Sequence, residues 1–527
     1  METNVGRMEE LPDGRPQRIR VGEHEVIVVR LGEQVRAFPA ACPHYHGPLD
    51  QGVLHDGRLV CPWHQATYAA RSGDLLEPPS FSALPSCDVR MAEGHVYVDV
   101  PDDAPARRTP PMTSADTERE RRLFVIVGAG AAAAAAAEAM RQAGFAGRIL
   151  MIGREDRPPY DRPNCSKDLL AGTMSASWMP LRSDKFYEKW SIERRWAVVD
   201  EVDTATRRVV LQGGEELTAD GLLIATGGTP RQLSAPGGDL PGVFTLRTWD
   251  DCGAIVEALA SARRAVVIGA SFIGLEAAAS LRHRGLEVTV AAPEALPLVQ
   301  VFGEEVGRSL RALHERNGVA FQLGRTVAVV DGGGKVAQVQ LDDGTLLPAD
   351  AVIVGMGVTP ATGMVRGVPT QKDGSLLVDE QLRVVGADGV WAAGDVARYP
   401  AAHLGGEPVR IEHWRVALQQ GRAVGRAMAG RTEPFTGVPF FWTQQYERRL
   451  GFAGYGRPWQ EVIVAGKPAD GDFVAYYAAG GRVHAAAGTR DRQLAAFAEL
   501  MRAGRVPAAD SLRVAPDTDL VSVLGDA

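Results

Sequence analysis

Residues 121–167 read RRLFVIVGAGAAAAAAAEAMRQAGFAGRILMIGREDRPPYDRPNCSK, and the pattern predicts one nucleotide-binding βαβ unit. Leu123–Val127 is a short apolar, β-branched run ended by glycine, as a buried parallel strand requires. Gly128-Ala129-Gly130 makes a tight turn and lets the backbone come close to a pyrophosphate. Ala131–Gln142 continues as a helix whose first N–H groups face that phosphate. A second strand, Ile149–Ile152, runs into Gly153-Arg154-Glu155. Glu155, 27 residues after Gly128, is placed to bind ribose hydroxyls. Ala133 stands where a third glycine is usual, so this stretch alone also fits a plain run of good helix formers. The class is α/β.

Three later segments sharpen the reading. Pro159-Tyr160-Asp161-Arg162-Pro163 leads to Ser166-Lys167, Ala225-Thr226-Gly227-Gly228 follows an apolar strand, and Ala392-Ala393-Gly394-Asp395 follows another. In that order they resemble the glutathione-reductase-like flavoproteins, nearest the ferredoxin reductases of oxygenase systems and apoptosis-inducing-factor-like proteins. The resemblance implies FAD held by Gly128, Gly130, Glu155, Arg162, Lys167, Thr226, Gly227, Gly394 and Asp395. Asp395 would accept from the ribityl chain. Lys167 would lie beside the flavin ring, paired with a buried glutamate. Glu412-His413-Trp414 opens a helix and resembles the segment packed at the isoalloxazine, a buried structural tryptophan being the alternative. From Val438 onward, alternating strands and a closing helix at Arg492–Met501 resemble the C-terminal domain of the same family, whose first aromatic segment approaches the flavin.

A second nucleotide unit, AVVIGASFIGLE, spans Ala265–Glu276. Gly269, Ser271, Phe272, Ile273 and Gly274 form its turn and helix start, with Ser271 in place of the middle glycine. A second unit inserted in the first is what a flavoprotein needs to bring a nicotinamide dinucleotide to the ring. Glu276 matches the family glutamate that faces the lysine, a solvated helix position being the alternative. Lys167 and Glu276 are therefore the expected catalytic pair. Ala351–Pro360 returns the chain to the first domain, with Gly357 in the turn. NADH-specific relatives often carry an acid where Ala292 stands; here Glu294 comes two residues later and no arginine replaces it. NADH and NADPH should therefore be little discriminated, with NADH ahead. Cys165 has no partner at C-x(4)-C spacing, so hydride should leave the flavin as single electrons and not through a dithiol. It is read as a small packing residue.

At 527 residues, with 45% hydrophobic and 23% charged residues, the chain has room for three or four domains. A net charge of −8 without a basic run argues against nucleic acid as a partner. No apolar stretch approaches the ~20 residues that span a bilayer, and the N-terminus has no apolar h-region. The expected location is cytoplasmic, as monomer or homodimer. Five cysteines make no disulfide framework.

Residues 17–100 read as short strands broken by glycine and proline, an all-β domain. It contains Cys42-Pro43-His44 and, after sixteen residues, Cys61-Pro62-Trp63-His64. Two Cys-x(n)-His loops can offer two thiolates to one iron and two imidazoles to the other, the Rieske 2Fe–2S arrangement. A tetrahedral zinc site or a coincidence of structural residues are the alternatives. The flanking CPHYHGPLDQG and CPWHQATYAARSG resemble Rieske ferredoxins, which implies Cys42, His44, Cys61 and His64 as ligands. His46 and His55 are read as surface residues. Gly47 and Trp63 occupy the positions of the extra cysteines of the respiratory Rieske proteins, so no bridge forms. Fewer hydrogen bonds to the sulfurs should then favour the lower part of the potential range, ~−150 mV against ~+300 mV.

The proline-rich, charged stretch after this domain reads as a linker. As a flexible coil of about twenty residues it spans on the order of 25 Å. It would let the small domain visit the flavin cleft, with His44 and His64 at exposed loop tips. The expected layout is a Rieske domain at 1–104, linker 105–121, FAD domain 122–245 and 366–433, NAD(P) domain 246–365, and C-terminal domain 434–527. The expected function is NAD(P)H oxidation through FAD to the built-in cluster, and on to an unnamed acceptor such as an oxygenase or other redox protein. The rival is an NADH-responsive redox sensor or assembly protein of the apoptosis-inducing-factor type.

Overall fold

β-branched runs alternating with glycine-led helices build two sheets of one design. The computed structural model describes residues 2–456 and 458–525. In the first sheet five parallel strands lie in the order Ile192–Trp196, Arg148–Gly153, Leu123–Val127, Gly221–Ile224, Val390–Ala392. In the second the order is Val319–Leu323, Glu287–Ala292, Arg264–Ile268, Ala351–Val354, Val243–Thr245. Each runs third, second, first, fourth, and then takes one strand from outside the continuous stretch. Val390–Ala392 joins the first sheet only after the whole second sheet has been made. The second unit is thus an insertion in the first, and the central strands are buried on both faces as parallel strands require.

The alanine run has a packing reason that helix propensity does not supply. Helix Ala131–Gln142 lies against helix Trp414–Met428, in which Gly421 and Gly425 are one turn apart. A Cβ at Gly421 would come 2.1 Å from the Ala132 carbonyl oxygen, and one at Gly425 2.3 Å from that of Ala136. The two backbones touch, so neither helix tolerates bulk on the shared face.

The N-terminal domain consists of three small antiparallel sheets, one of them Val53–His55, Arg58–Val60, Thr67–Ala69 and Leu75–Glu77. The C-terminal domain is a five-stranded antiparallel sheet in the order Phe440–Gln445, Arg448–Gly454, Arg482–Gly488, Asp472–Ala479, Glu461–Lys467. Helix Asp491–Arg502 packs on it, and two short helices, Ala509–Val514 and Leu520–Gly525, follow beyond the one expected.

The proline-rich segment does not behave as a free tether. Arg108 pairs with Ala83 in a β-bridge and its guanidinium meets Asp74 at 2.6 Å. Further on, the Thr113 and Asp116 N–H groups donate to the carbonyls of Arg141 and Ala146. The N-terminal domain is seated by charge. Buried Arg415 donates to the Gln65 and Pro78 carbonyls and to Glu77, while Arg58 bridges Glu77 and Glu499. Arg182 and Arg422 add bonds to the Phe81 and Leu75 carbonyls. The picture of a domain that visits the cleft is therefore corrected. Composition suggested the flexibility of residues 105–121, but buried Arg415, which does most to hold the domain, lies about three hundred residues further along the chain.

Candidate functional site: two centres joined by a tryptophan

Each of the two Cys/His loops turns a sulfur and an imidazole into one buried space. The Nδ1 atoms of His44 and His64 face each other at 3.2 Å, and the thiols of Cys42 and Cys61 lie within hydrogen-bonding reach. Main-chain N–H groups of His44 and Tyr45 point at the Cys42 sulfur, those of Trp63 and His64 at the Cys61 sulfur. Burial keeps both imidazoles in the neutral, ligating form, pushing His44 down to about 3. A Cβ at Gly47 would lie 2.8 Å from the Cys61 sulfur, so the loop is shaped to leave that sulfur room. One thiol pair, one Nδ1 pair and N–H donors to the sulfurs fit a 2Fe–2S cluster.

Two expectations for this centre are corrected. His64 is 8% exposed and not at a free loop tip, because the C-terminal domain covers it. The sulfurs are also better supplied with donors than expected, since the Tyr68 hydroxyl lies 3.1 Å from the Cys42 sulfur. His46 is exposed, as read, whereas His55 is half-buried.

The second centre is a cavity of about 500 Å³ between the two nucleotide units and the C-terminal sheet. Gly128, Gly130, Glu155, Arg162, Lys167, Thr226 and Gly227 line it from the first unit, and Gly394, Asp395, Glu412, His413 and Trp414 from its returning segment. Ser271, Phe272, Ile273, Glu276 and Gly357 line it from the second. Gly269 and Gly274 do not reach the cavity wall. Gly269 has φ +106, and a Cβ at Gly274 would lie 2.1 Å from the Gly269 carbonyl oxygen. Both glycines close the strand–helix turn on itself.

The cavity suits a dinucleotide. Helix Ala131–Gln142 starts at Gly130 with no side-chain cap, and a Cβ at Gly130 would meet open space. Its first N–H groups are left for an anion. Glu155 is held by the Tyr160 hydroxyl at 2.5 Å and by Arg162 at 2.8 Å. Arg247 holds Asp395 at 2.7 Å. Lys167 Nζ donates to Glu276 Oε2 at 2.8 Å, with Glu276 4% exposed. Cys165 is buried beside the cavity among apolar neighbours, and burial pushes its thiol up.

Trp442 joins the centres. Its ring lies 4.2 Å from that of His64, 6.3 Å from His44 and 5.8 Å from His413, and it forms part of the cavity wall. Tyr45, next to His44, donates to Asp161 at 2.7 Å and accepts from Asn164 at 2.8 Å. Sequence reasoning reached Trp442 only as part of an aromatic segment and missed Tyr45, Arg247 and Arg415. Nothing local to those three residues signals a partner in another domain.

The chain matches the Pyridine nucleotide-disulphide oxidoreductase family over residues 123–421, the Rieske [2Fe-2S] domain over 2–88 and the Reductase C-terminal family over 440–524. It is 35% identical to Apoptosis-inducing factor 3 of Homo sapiens over 96% of this chain and 84% of that protein. It is 33% identical to the Benzene 1,2-dioxygenase system ferredoxin--NAD(+) reductase subunit of Pseudomonas putida, over 66% of this chain and 84% of that one. The covalent putidaredoxin reductase–putidaredoxin complex superposes with a TM-score of 0.71 at 30% identity, covering 77% of this chain and 99% of that one. Among the described residues no helix is long and apolar enough to cross a membrane. A flavin-sized cavity between two dinucleotide units, with a Cys/His site packed behind Trp442 of its wall, and the family matches place the chain in the pyridine nucleotide-disulphide oxidoreductase family as an FAD-dependent NAD(P)H oxidoreductase of ferredoxin-reductase type with its own Rieske domain.

Proposed function

We propose that the enzyme takes electrons from NAD(P)H and passes them to its own cluster, and from there to an external one-electron acceptor of the oxygenase-component or redox-protein kind. Bound FAD supplies hydride acceptance and release of single electrons, and the 2Fe–2S cluster supplies one-electron storage. The carrying observation is Trp442, whose ring touches His64 and also forms part of the cavity wall. Lys167 and Glu276 would hold the flavin edge and Arg247 and Asp395 its chain, and the Phe272–Phe441 ring pair would shield the nicotinamide approach from water. The cytoplasm is the proposed setting.

Anaerobic mixing with NADH, followed at the flavin and cluster absorption bands, tests this reading. Cluster reduction should follow flavin reduction at a rate independent of protein concentration. Fully reduced flavin beside a cluster that stays oxidised would favour the redox-sensor reading, in line with the near full-length likeness to Apoptosis-inducing factor 3.

A further inference from the structure

Glu276 is one end of a buried chain of polar groups that the pair with Lys167 does not explain. Its Oε2 accepts from Lys167 Nζ at 2.8 Å and from Ser166 Oγ at 2.6 Å. Its Oε1 accepts from Thr443 Oγ1 at 2.6 Å. The Thr443 oxygen accepts in turn from Gln445 Nε2 at 3.2 Å, and the Gln445 Oε1 from His314 Nε2 at 2.9 Å. Thr443, Gln445 and His314 are all at most 1% exposed. The chain crosses three parts of the molecule, from the cavity through the first strand of the C-terminal sheet to helix Val299–Arg316 of the second unit.

The direction of every bond follows from the groups themselves. A carboxylate only accepts, so the Thr443 proton is committed to Glu276. That leaves the Thr443 oxygen to take an amide proton from Gln445, which fixes the Gln445 carbonyl toward His314. His314 must then donate through Nε2, and its Nδ1 is buried with no hydrogen-bond partner among the described residues. An orphaned buried nitrogen carries a cost, and it is tolerated here because the ring's other nitrogen anchors the chain. All donors point one way, toward Glu276.

We propose that Thr443, Gln445 and His314 are positioning residues for the Lys167–Glu276 pair, fixing the carboxylate by a one-way line of donors that starts in the second nucleotide unit. The proposal rests on the assignment of Lys167 and Glu276 to the flavin edge. It has a sharp chemical requirement: position 443 needs a hydroxyl, and a methyl group of the same shape will not serve.

The test uses the holoenzyme carrying Thr443→Val, Thr443→Ala, Thr443→Ser, Glu276→Gln and the double variant Thr443→Val/Glu276→Gln. Flavin reduction at saturating NADH should slow about tenfold in Thr443→Val and Thr443→Ala, the loss of one donor to a charged acceptor, with KM for NADH changed less than about twofold. Thr443→Ser should recover most of the rate. In the Glu276→Gln background, Thr443→Val should add less than about a twofold further loss. The midpoint potential of the bound flavin should move in the same direction in Thr443→Val and Glu276→Gln and return in Thr443→Ser. In flavin-free protein the thermal midpoints of the two single variants should be non-additive in the double. Wild-type rate and potential in Thr443→Val with a slow Glu276→Gln would overturn the positioning chain alone. Full additivity would overturn it too, as a purely structural effect. A Glu276→Gln enzyme reduced at the wild-type rate would overturn the role of the pair, and the proposal with it.

Discussion

The two nucleotide units share strand order and turn geometry, yet they solve different problems. The first opens its turn to the cavity: Gly130 faces empty space, and Glu155 stands at the rim between Tyr160 and Arg162. The second closes its turn: Gly274 packs on the Gly269 carbonyl and Gly355, Ser271 donates to the Gly355 carbonyl at 2.7 Å, and the acid position is Ala292. The first unit leaves its helix start open toward the cavity, whereas the second packs its turn glycine against glycine. Their buried nitrogen-bearing side chains differ likewise. Arg141, 0% exposed, satisfies four carbonyls, those of Phe145, Gly147, Trp190 and Ser191, whereas His314 holds a single amide.

The heaviest blow to this contrast is Gly421→Val. Its side chain would enter the Ala132 backbone and force the helices of the first unit apart, at ~3 kcal/mol or more. Loss of bound flavin and a lower thermal midpoint are expected; a variant that keeps stoichiometric FAD would refute the close contact as the anchor of the first unit.

Next comes acid. Burial pushes His314 down to about 4, from an ordinary value of 6.5, with the Gln445 bond acting weakly the other way. Between pH 6.5 and 4 the unfolded chain binds a proton there and the folded chain does not. Stability is therefore intact above that window, falls as pH is lowered through it, and loses nothing more to this group below it. The total is at most about 3 kcal/mol. Thermal midpoints of wild type and His314→Gln, compared at about pH 7.5, 6 and 4.5, should converge as pH falls. Arg141 stays protonated throughout and offers no such slope, although burial lowers it to about 10.

Gly274→Ala should weaken nicotinamide dinucleotide binding by about 1–3 kcal/mol while FAD content stays at the wild-type level. NADH titration of flavin bleaching, beside flavin released by heat, checks both halves. Equal loss of both ligands would show that the units are not separable.

The smallest effect concerns the missing acid at Ala292. The kcat/KM for NADH should exceed that for NADPH by no more than ~10-fold, a gap of about 1.4 kcal/mol. A thousandfold preference either way would mean that another residue reads the 2′ position.

The strands and first helices of both units were legible because buried parallel strands and glycine turns leave a dense local pattern. Ala131–Gln142 has the bounds expected of it. The two Cys/His loops and the Rieske domain that carries them were legible for the same reason, short segments with their own flanking code. What escaped was contact between distant segments. Tyr45 on Asp161, Arg415 on the Gln65 carbonyl, and Thr443 on Glu276 each join residues more than a hundred positions apart. The alanine run was ambiguous until Gly421 and Gly425 were seen against it.

The seated N-terminal domain has a consequence for dilution. When donor and carrier are separate proteins, their meeting rate falls with the concentration of each, and an imbalance in synthesis leaves one idle. Here Arg415, Arg58 and Tyr45 fix the carrier at one partner per donor at any concentration. The exchange is paid for in range: a carrier fastened over Trp442 cannot travel, so every acceptor has to come to it.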